Sequence, residues 1–331
     1  MAGKRIGAVL VAIVLVAGAL LLRRNVIESS DDDPDTTATT AAPSAPPGQI
    51  VCASELEAAC DAIAEADPDV DVLVEPAGVT LDRLAALDDG AEAPVWLTLD
   101  PFPAMVDELR TAAGSTPLNA STEALGASQL SVATPAGGRS DVLTAACTGE
   151  PLWRCIGEHA GEPWTEIEGE TAWGTVRPSL GVVEREAAAL ASFADAVAGY
   201  FGSAQISSTN FSDPAFIAWL RQLTGPVDES QLSAGTPLST MAVRPPLDVA
   251  ATTEAERSTA GGDRFGANYP DPTMWVEAVL AVPDGVSVPG DLAGTAVAAL
   301  AASGWADPSA AAQSVPGAST MLALRSLWGQ L

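Results

Sequence analysis

Small hydroxyl side chains are the residues whose positions first suggest chemistry in this sequence. They stand where apolar runs give way to helical patterns, at Ser54, Ser179, Thr236, Ser239 and Thr252. A helix N-terminus presents free N–H groups and a partial positive charge, and a hydroxyl adds a neutral donor, so such positions suit a small anion. Each hydroxyl could instead be a helix N-cap that contributes only stability. The pattern therefore indicates either a ligand-binding edge or a set of caps.

Three charged side chains accompany these hydroxyls: Glu55, Asp100 and Arg177. The Arg177 guanidinium offers a planar fork that suits an oxyanion, although the many acidic residues also allow a surface salt bridge. A carboxylate at Asp100 disfavours an anion unless it pairs with Arg177 or with an amino group on the ligand. An amino-acid-like ligand would satisfy both charges, whereas a bare oxyanion would satisfy one. We predict a small polar or anionic ligand contacted by these eight residues.

Catalytic motifs are weak or missing. There is no G-x-S-x-G motif, and a serine triad would have to use His159, the sole histidine. Gly137 and Gly138 lack the other glycines of a phosphate-binding loop. Lysine occurs only at Lys4, which removes Schiff-base and Walker-type lysine chemistry from the rest of the chain. We expect neither an enzyme nor a cofactor, and no metal, because neither cysteine pair has zinc-ligand spacing.

A strand–helix–strand–helix–strand pattern would position the first of these residues. Apolar runs at 50–53, 70–74 and 95–99 alternate with helical patterns, the first of which opens with a capping-box sequence from Ser54 to Glu57. Such alternation predicts right-handed crossovers and parallel strands. The carboxyl ends of parallel strands lie at one edge of a sheet, where ligands of such folds bind.

The rest of the chain continues as an α/β pattern. We predict strands at 129–134, 171–176, 247–251 and 274–282. We predict helices at 140–147, 182–201, 289–303 and 318–328, another after Asp213-Pro214, and a further capping box at 253–256. The Trp- and Gly-containing segment 153–159 is predicted to be a compact loop held by Cys155.

The composition is that of an acidic folded protein. The 331 residues carry a net charge of −28, yet 47% of them are hydrophobic, which distinguishes the chain from a disordered one. Because nucleic acid binding needs cationic groups that neutralise phosphates, this charge argues against a nucleic acid partner.

The apolar run 6–22 lies between Lys4-Arg5 and Arg23-Arg24. A cleaved signal peptide would need a small-residue site after this run, and a lipoprotein signal would need a cysteine earlier than Cys52. A retained anchor fits better. We predict a cytoplasmic stub at 1–5, a transmembrane signal anchor at 6–22 and a disordered Thr/Pro/Asp-rich tether at 23–49.

Four cysteines form two pairs with equal spacing, Cys52 with Cys60 and Cys147 with Cys155. Four cysteines allow three pairings, of which the two short loops are favoured. Disulfides indicate an oxidising compartment. We therefore expect a single-pass protein of the cell membrane with its C-terminal domain outside the cell.

Four segments carry a resemblance to a known family. They are 50–56, 96–102, 172–179 and 248–254, which read IVCASEL, WLTLDPF, AWGTVRPS and DVAATTE. Together they resemble type 2 periplasmic (extracellular) solute-binding proteins, in particular actinobacterial members associated with von Willebrand A domains. The resemblance implies a two-lobe α/β fold, each lobe a sheet flanked by helices. Lobe 1 would comprise 50–126 and 244–331 and lobe 2 would comprise 127–243, with crossings near 124–129 and 236–247.

The resemblance also implies a function. A membrane-anchored solute-binding protein would capture its ligand between the lobes for an ABC transporter permease and ATPase, or for a sensor. A von Willebrand A domain protein is another possible partner. The alternative is an anchored protein-interaction module that keeps the fold without a ligand. A sealed polar cleft with a positive centre would favour the receptor, and an exposed apolar patch without a cleft would favour the module.

Overall fold

The structure is a computed structural model that describes residues 49–227, 236–243, 247–288 and 290–331. The predicted stub and anchor, and the tether up to residue 48, lie outside these ranges. Part of the predicted crossing at 236–247 also lies outside them, since 244–246 are not described. Within the described ranges, no helix is both long and apolar enough to cross a membrane.

The described residues form a mixed sheet. Its strands are β1 Ile50–Ala53, β2 Val72–Glu75, β3 Val95–Leu99, β4 Ser121–Pro135, β5 Pro178–Ser179, β6 Val249–Thr253, β7 Phe265–Asn268 and β8 Trp275–Val282. They lie in the order β2-β1-β3-β8-β4-β6-β5, and β7 pairs with β4. The predicted parallel arrangement of the first three strands is confirmed, because β1 pairs in parallel with both β2 and β3.

Helices flank this sheet, as the predicted α/β fold class requires. They are α1 Glu57–Ala66, α2 Ala77–Ala85, α3 Phe102–Ala113, α4 Arg139–Ala146, α5 Leu152–His159, α6 Ala187–Phe201, α7 Pro214–Thr224, α8 Pro237–Val243, α9 Glu254–Thr259, α10 Leu292–Ala302 and α11 Ala318–Trp328. Their bounds match most of the predicted helices to within a few residues, which is the usual uncertainty at helix ends.

The sheet has two parts: the first contains β2, β1, β3 and β8, and the second contains β5, β6 and β7. The 15-residue strand β4 belongs to both parts. Its first part, from Ser121 to Gln129, pairs antiparallel with β8. Its second part pairs with β6 and β7, and β5 extends that side by pairing with β6. The predicted first crossing at 124–129 falls inside this strand. The pairing groups β6 and β7 with β5 rather than with β1, so the lobe boundary at residue 244 stays a prediction that strand pairing does not support.

The predicted loop at 153–159 is wrong, because this segment is the helix α5. Trp153 and Ile156, spaced as one helical face, are both buried. Gly157 belongs to the helix for a packing reason, since a Cβ there would lie 2.1 Å from Nε1 of Trp219. The glycine that suggested a loop is therefore the site of a close helix–helix contact.

Three further local predictions differ from the structure. Thr171–Trp173 is a short 3-10 helix instead of a strand, and Trp173 packs edge-on against Trp164 with ring centroids 5.5 Å apart. The capping box after β1 does not form, because Ser54–Leu56 is a 3-10 turn without a side-chain cap. The helix predicted from residue 182 begins only at Ala187, after a turn in which Arg185 and Glu186 donate to the Val182 carbonyl.

One large hydrophobic cluster of the described residues joins the two parts of the sheet. It includes Leu97 of β3, Phe193 of α6 and Leu324 of α11, none of which is more than 1% exposed. Phe193 also lies edge-on to Trp328 of α11, with ring centroids 5.2 Å apart. The two parts of the sheet therefore share buried apolar packing.

Two disulfides connect the pairs that the sequence favoured. Cys52 is bonded to Cys60 with Cα atoms 6.3 Å apart, and Cys147 is bonded to Cys155 with Cα atoms 5.5 Å apart. The first links β1 to α1, and the second links the end of α4 to α5. Both cross-links close short loops, which restricts the unfolded chain.

Candidate functional site

A cavity of about 250 Å³ lies beyond the carboxyl ends of β1, β3 and β6. This is the edge at which the sequence predicted a ligand. Its walls come from the turn after β1, the starts of α6 and α9, and the end of α10. The lining residues are Ser54, Glu55, Leu56, Ala58, Ala59, Leu99, Ala188, Thr236, Thr253, Ala255, Glu256, Thr259, Leu300, Ser303 and Trp305.

The lining divides into an apolar and a polar group. The apolar group includes Leu56, Leu99, Leu300 and Trp305, all of them buried. The polar group includes two carboxylates and several hydroxyls, namely Ser54, Glu55, Thr236, Thr253, Glu256, Thr259 and Ser303. Ligand sites commonly combine apolar walls with a few polar groups that fix orientation.

The Glu55 side chain contacts helix α6 at the edge of the cavity. The 3-10 turn after β1 places its carboxylate near α6, where the backbone N–H of Ala188 donates to Glu55 Oε1 at 3.0 Å. Ala188 is the second residue of α6, so its N–H is one of those without a partner inside the helix. Ser54 Oγ donates to the other carboxylate oxygen, Oε2, at 3.3 Å. A side chain of this protein therefore occupies a position that suits an anion.

Glu256 is the second carboxylate of the lining. It lies on α9, which begins after the N-cap Thr253, whose hydroxyl accepts from the Glu256 N–H at 3.1 Å. Thr252 Oγ1 donates to Glu256 Oε2 at 2.7 Å, and Thr236 Oγ1 donates to Oε1. Burial raises the pKa of the Glu256 carboxyl and the charge of Glu55 raises it further, while the two threonine hydrogen bonds act in the opposite direction.

A third carboxylate lies beside these two, at the N-cap residue Glu186 of α6. Burial raises the pKa of Glu186 to about 7, and the charges of Glu55 and Glu256 contribute to that rise. Arg185 and a backbone hydrogen bond to Val182 lower it. The three acids thus influence one another electrostatically, which is a common property of functional sites and also of structural clusters.

The cavity has no positive centre among its described lining residues. The charged side chains of the lining are Glu55 and Glu256, and no arginine, lysine or histidine is among them. Two carboxylates repel an anion, and they attract a cation more strongly in a partly buried site than in water. The positive centre that would favour a receptor is therefore absent from the described lining of this cavity.

The structure brings together five of the eight predicted ligand-binding residues. Ser54, Glu55 and Thr236 line the cavity. Thr252 reaches it through its hydrogen bond to Glu256, and the Ser239 N–H donates to Thr236 Oγ1 at 3.2 Å. These five residues come from strand ends and helix starts that lie close together at the cavity.

Arg177 and Asp100 lie outside the cavity lining and neighbour different groups. Arg177 Nε donates to Thr175 Oγ1 at 3.2 Å. Burial raises the pKa of Asp248 to about 6, and the positive charges of Arg139 and Arg177 reduce that rise. The Asp100 N–H donates to the Glu277 carbonyl at 2.9 Å, and burial followed by the Glu277 charge raises the Asp100 pKa. The pairing of Asp100 with Arg177 is absent.

Ser179 lies in a separate, smaller cavity of about 40 Å³, whose lining includes Leu223 and Trp328. Its hydroxyl accepts from the Gly181 N–H at 3.3 Å, so it closes a local turn. The Ser179 hydroxyl thus binds the backbone, which matches the alternative that such hydroxyls contribute to stability instead of holding a ligand.

Glu256 and Trp305 are among the cavity residues that were missed from the sequence. Glu256 was noticed only as the last member of a capping box, and Trp305 follows an alanine-rich helix without any motif. The box could have revealed Glu256, because a carboxylate at the start of a helix after a strand is placed at the binding edge. Trp305 gave no signal, since its position depends on long-range packing.

No family model matches the sequence, and no curated protein matches it. Solved structures do. The periplasmic binding protein AfuA from Actinobacillus pleuropneumoniae, with fructose-6-phosphate bound, aligns with 86% of this chain and 98% of its own length at 12% identity and a TM-score of 0.51.

Two further solved structures align less closely. The sulfate-binding protein SubI from Mycobacterium tuberculosis H37Rv aligns with 86% of this chain and 98% of its own at 13% identity and a TM-score of 0.46. Iron-bound HitA from Pseudomonas aeruginosa aligns with 84% of this chain and 97% of its own at 14% identity and a TM-score of 0.47. The likeness to AfuA shows that the described chain has a periplasmic-binding-protein-like fold.

Proposed function

We propose that this chain is a solute-binding protein that holds a small polar ligand in the cavity beyond β1, β3 and β6. The observation that carries the proposal is the cavity itself, which has an apolar wall and a cluster of hydroxyls and carboxylates. Its position at strand carboxyl ends is the binding position of open α/β folds. The fold shared with a periplasmic binding protein supports the same assignment.

The proposal includes the anchored topology and the partner class predicted from the sequence. The apolar segment 6–22 would hold the protein in the cell membrane with the folded domain outside. The two disulfides support an exported domain, because such bonds persist in oxidising compartments. The ligand would then pass to a permease and ATPase, to a sensor, or to a protein with a von Willebrand A domain.

The charge of the lining changes the expected ligand. An anion would meet Glu55 and Glu256 without a cation in the described lining to offset them. We therefore propose a ligand that is uncharged or cationic, in place of the anion that Arg177 suggested.

A second function is favoured by one specific observation. The hydrophobic cluster that joins the two parts of the sheet includes Phe193 and Leu324, which are fully buried. A hinge motion that separates the parts would expose this apolar surface, at a cost of about 25 cal/mol per Å². A fold held closed in this way suits a protein-interaction module that has kept the fold and lost its ligand.

A ligand panel and a blocked cavity distinguish the two functions. Thermal unfolding of the full chain would be followed with amines, amino acids, sugars and oxyanions. Ala58→Trp places a large side chain in the cavity lining, and Ala66→Trp, on the exposed end of the same helix α1, is the matched control. We expect a ligand to stabilise the wild type and the control by several degrees and to have no effect on Ala58→Trp.

The opposite results are equally informative. A ligand that stabilises Ala58→Trp as well as the wild type binds elsewhere, which contradicts the proposed site. If no compound stabilises the wild type, the interaction module is the better assignment.

A further inference from the structure

The N-terminus of α6 is already occupied by a carboxylate of this chain. The helix has 15 residues, and its N-cap residue Glu186 makes no side-chain capping bond. The Ala188 N–H donates instead to Glu55, which is 133 positions away in the sequence and lies in the turn after β1. Because Glu55 and Ala188 both line the cavity, this contact is part of its wall.

We propose that Glu55 determines the charge of the ligand: it excludes anions from the N-terminus of α6 and, together with Glu256, selects a small molecule with one amino group and an apolar body. This inference rests on the proposed solute-binding function and names the ligand class of the same cavity. Glu55 would thus act as an internal anion in a position where an external one could otherwise bind.

The hydrogen bonds of the two carboxylates leave room for a donor from the ligand. Glu55 accepts from Ala188 and Ser54, one on each oxygen. Glu256 accepts from Thr236 and Thr252, again one on each oxygen. A carboxylate can accept about four hydrogen bonds in all, so each group has unused capacity. An ammonium group carries three donors and a positive charge, which matches two carboxylates better than a hydroxyl does.

The protein compensates the two carboxylates with hydrogen bonds but with no cationic side chain in the described lining, which is the energetic reason for a cationic ligand. Burial and the charge of Glu55 both raise the pKa of Glu256, and the same charge adds to the raised pKa of Glu186. A buried charge without a counter-charge is costly, and a ligand cation would reduce that cost.

The apolar wall defines the rest of the ligand. Leu56, Leu99, Leu300 and Trp305 line the cavity with hydrocarbon and aromatic surface. The volume of about 250 Å³ lies below the common range of drug-sized sites, which is roughly 300–1,000 Å³. The cavity therefore suits a short alkyl or small aromatic amine.

A matched set of probes tests the charge preference even while the natural ligand is unidentified. Pentylamine, pentanol and pentanoate share one alkyl chain and differ in their end group. Binding to the full chain would be measured by saturation-transfer NMR and competition. We expect the wild type to bind pentylamine about tenfold more tightly than pentanol, and pentanoate most weakly of the three.

Variants of Glu55 then assign the preference to this residue. Glu55→Gln keeps an acceptor for Ala188 and removes the charge, so we expect the preference for pentylamine over pentanol to fall by about tenfold. Glu55→Ala leaves the Ala188 N–H open, so pentanoate binding should increase. The control Glu57→Gln changes an exposed residue of α1 outside the cavity lining and should leave all three affinities unchanged.

The wild-type comparison remains decisive if a variant fails to fold. Equal affinity for pentylamine and pentanoate would overturn the inference and leave solute binding intact. An unchanged preference in folded Glu55→Gln would also overturn it. If none of the probes binds while another compound binds in a manner blocked by Ala58→Trp, the amine class is wrong and the proposed function stands.

Discussion

Two carboxylate hydrogen bonds, one partly buried and one buried, link α6 to distant segments of the fold, and they differ in one respect. We define the cavity junction as Glu55, Ala188 and Glu256, and the core junction as Asp195, Trp153 and Met274. In each, a carboxylate accepts a backbone N–H from a distant segment, from Ala188 at 3.0 Å in the first and from Met274 at 3.3 Å in the second. The cavity junction borders open volume, whereas the core junction is filled by protein.

The core junction is a carboxylate with similar hydrogen bonds that borders no described cavity. Asp195 is only 1% exposed, and Trp153 Nε1 donates to its second oxygen at 2.7 Å. Burial raises the pKa of Asp195 to about 7, while these two hydrogen bonds lower it. Both oxygens of this carboxyl group are bonded to protein donors and neither cavity described above includes Asp195 in its lining, so its role is structural. A buried acid therefore indicates a ligand site only where a cavity reaches it.

The largest expected effect removes packing on α6 beside the core junction. Phe193→Ala, two positions before Asp195 on α6, deletes a fully buried ring that packs against Trp328. We expect a loss of about 3–5 kcal/mol in the free energy of unfolding, measured by urea denaturation. Val297→Ala, at a side chain that is 43% exposed, is the control and should change it by less than about 0.5 kcal/mol. A loss below about 1 kcal/mol would show that the parts are loosely packed.

A smaller effect should appear as a pH dependence. The pKa of Asp195 is about 7 in the folded protein, against an ordinary value of 3.8. The folded protein therefore holds a proton that the unfolded chain releases, and this contribution to stability is lost as pH rises from about 4 to about 7. Asp195→Asn has no such proton, so its stability relative to the wild type should rise by up to about 4 kcal/mol across that window.

Urea midpoints measured from pH 4 to pH 8 for both proteins would show how the difference in their free energies of unfolding changes with pH. This change is independent of any constant difference in stability between the two proteins. Asp61→Asn, an exposed acid of α1, should show no comparable divergence. A constant difference between Asp195→Asn and the wild type would contradict the assignment of the raised pKa.

The smallest expected effect concerns the approach of α2 to the turn before α6. The Gly78 N–H donates to the Arg185 carbonyl at 2.7 Å, and a Cβ at Gly78 would lie 2.2 Å from the Glu184 carbonyl oxygen. Gly78→Ala should therefore displace this turn and cost about 1–3 kcal/mol of stability. Val79→Ala, at an exposed neighbour on the same helix, is the control. Equal stability of Gly78→Ala and the wild type would mean that the turn yields freely.

Residue positions that depend on local sequence pattern could be predicted from the sequence, whereas positions that depend on long-range packing could not. Ser54 and Glu55 follow an apolar run that becomes β1, so their place at the binding edge follows from the strand alone. The equal spacing of the cysteines likewise predicted both disulfides. These features need information from only a few neighbouring positions.

Arg177 and Ser179 show why the remaining site could not be predicted. The predicted strand 171–176 would have placed both at its carboxyl end, whereas in the structure Arg177 precedes the two-residue strand β5 and Ser179 is its second residue. The side chain of Ser179 nevertheless serves Gly181, and that of Arg177 serves Thr175. A strand end fixes the position of a residue, whereas the direction of its side chain depends on the turn that follows. Glu256 and Trp305 came into the cavity through contacts between distant segments.

The shared strand β4 has a consequence for how the protein folds. Val132 and Ala133 pair with both β6 and β7, whereas Ser121 and Thr122 of the same strand pair with β8. Closing these pairings brings together segments more than a hundred positions apart, so they form late and at a high entropic cost. The strands of the second part follow one another as β4 to β7 within residues 121–268, whereas the first part needs β8 to join β3 to β4. We therefore expect the first part of the sheet to be completed only after β8 has been synthesised.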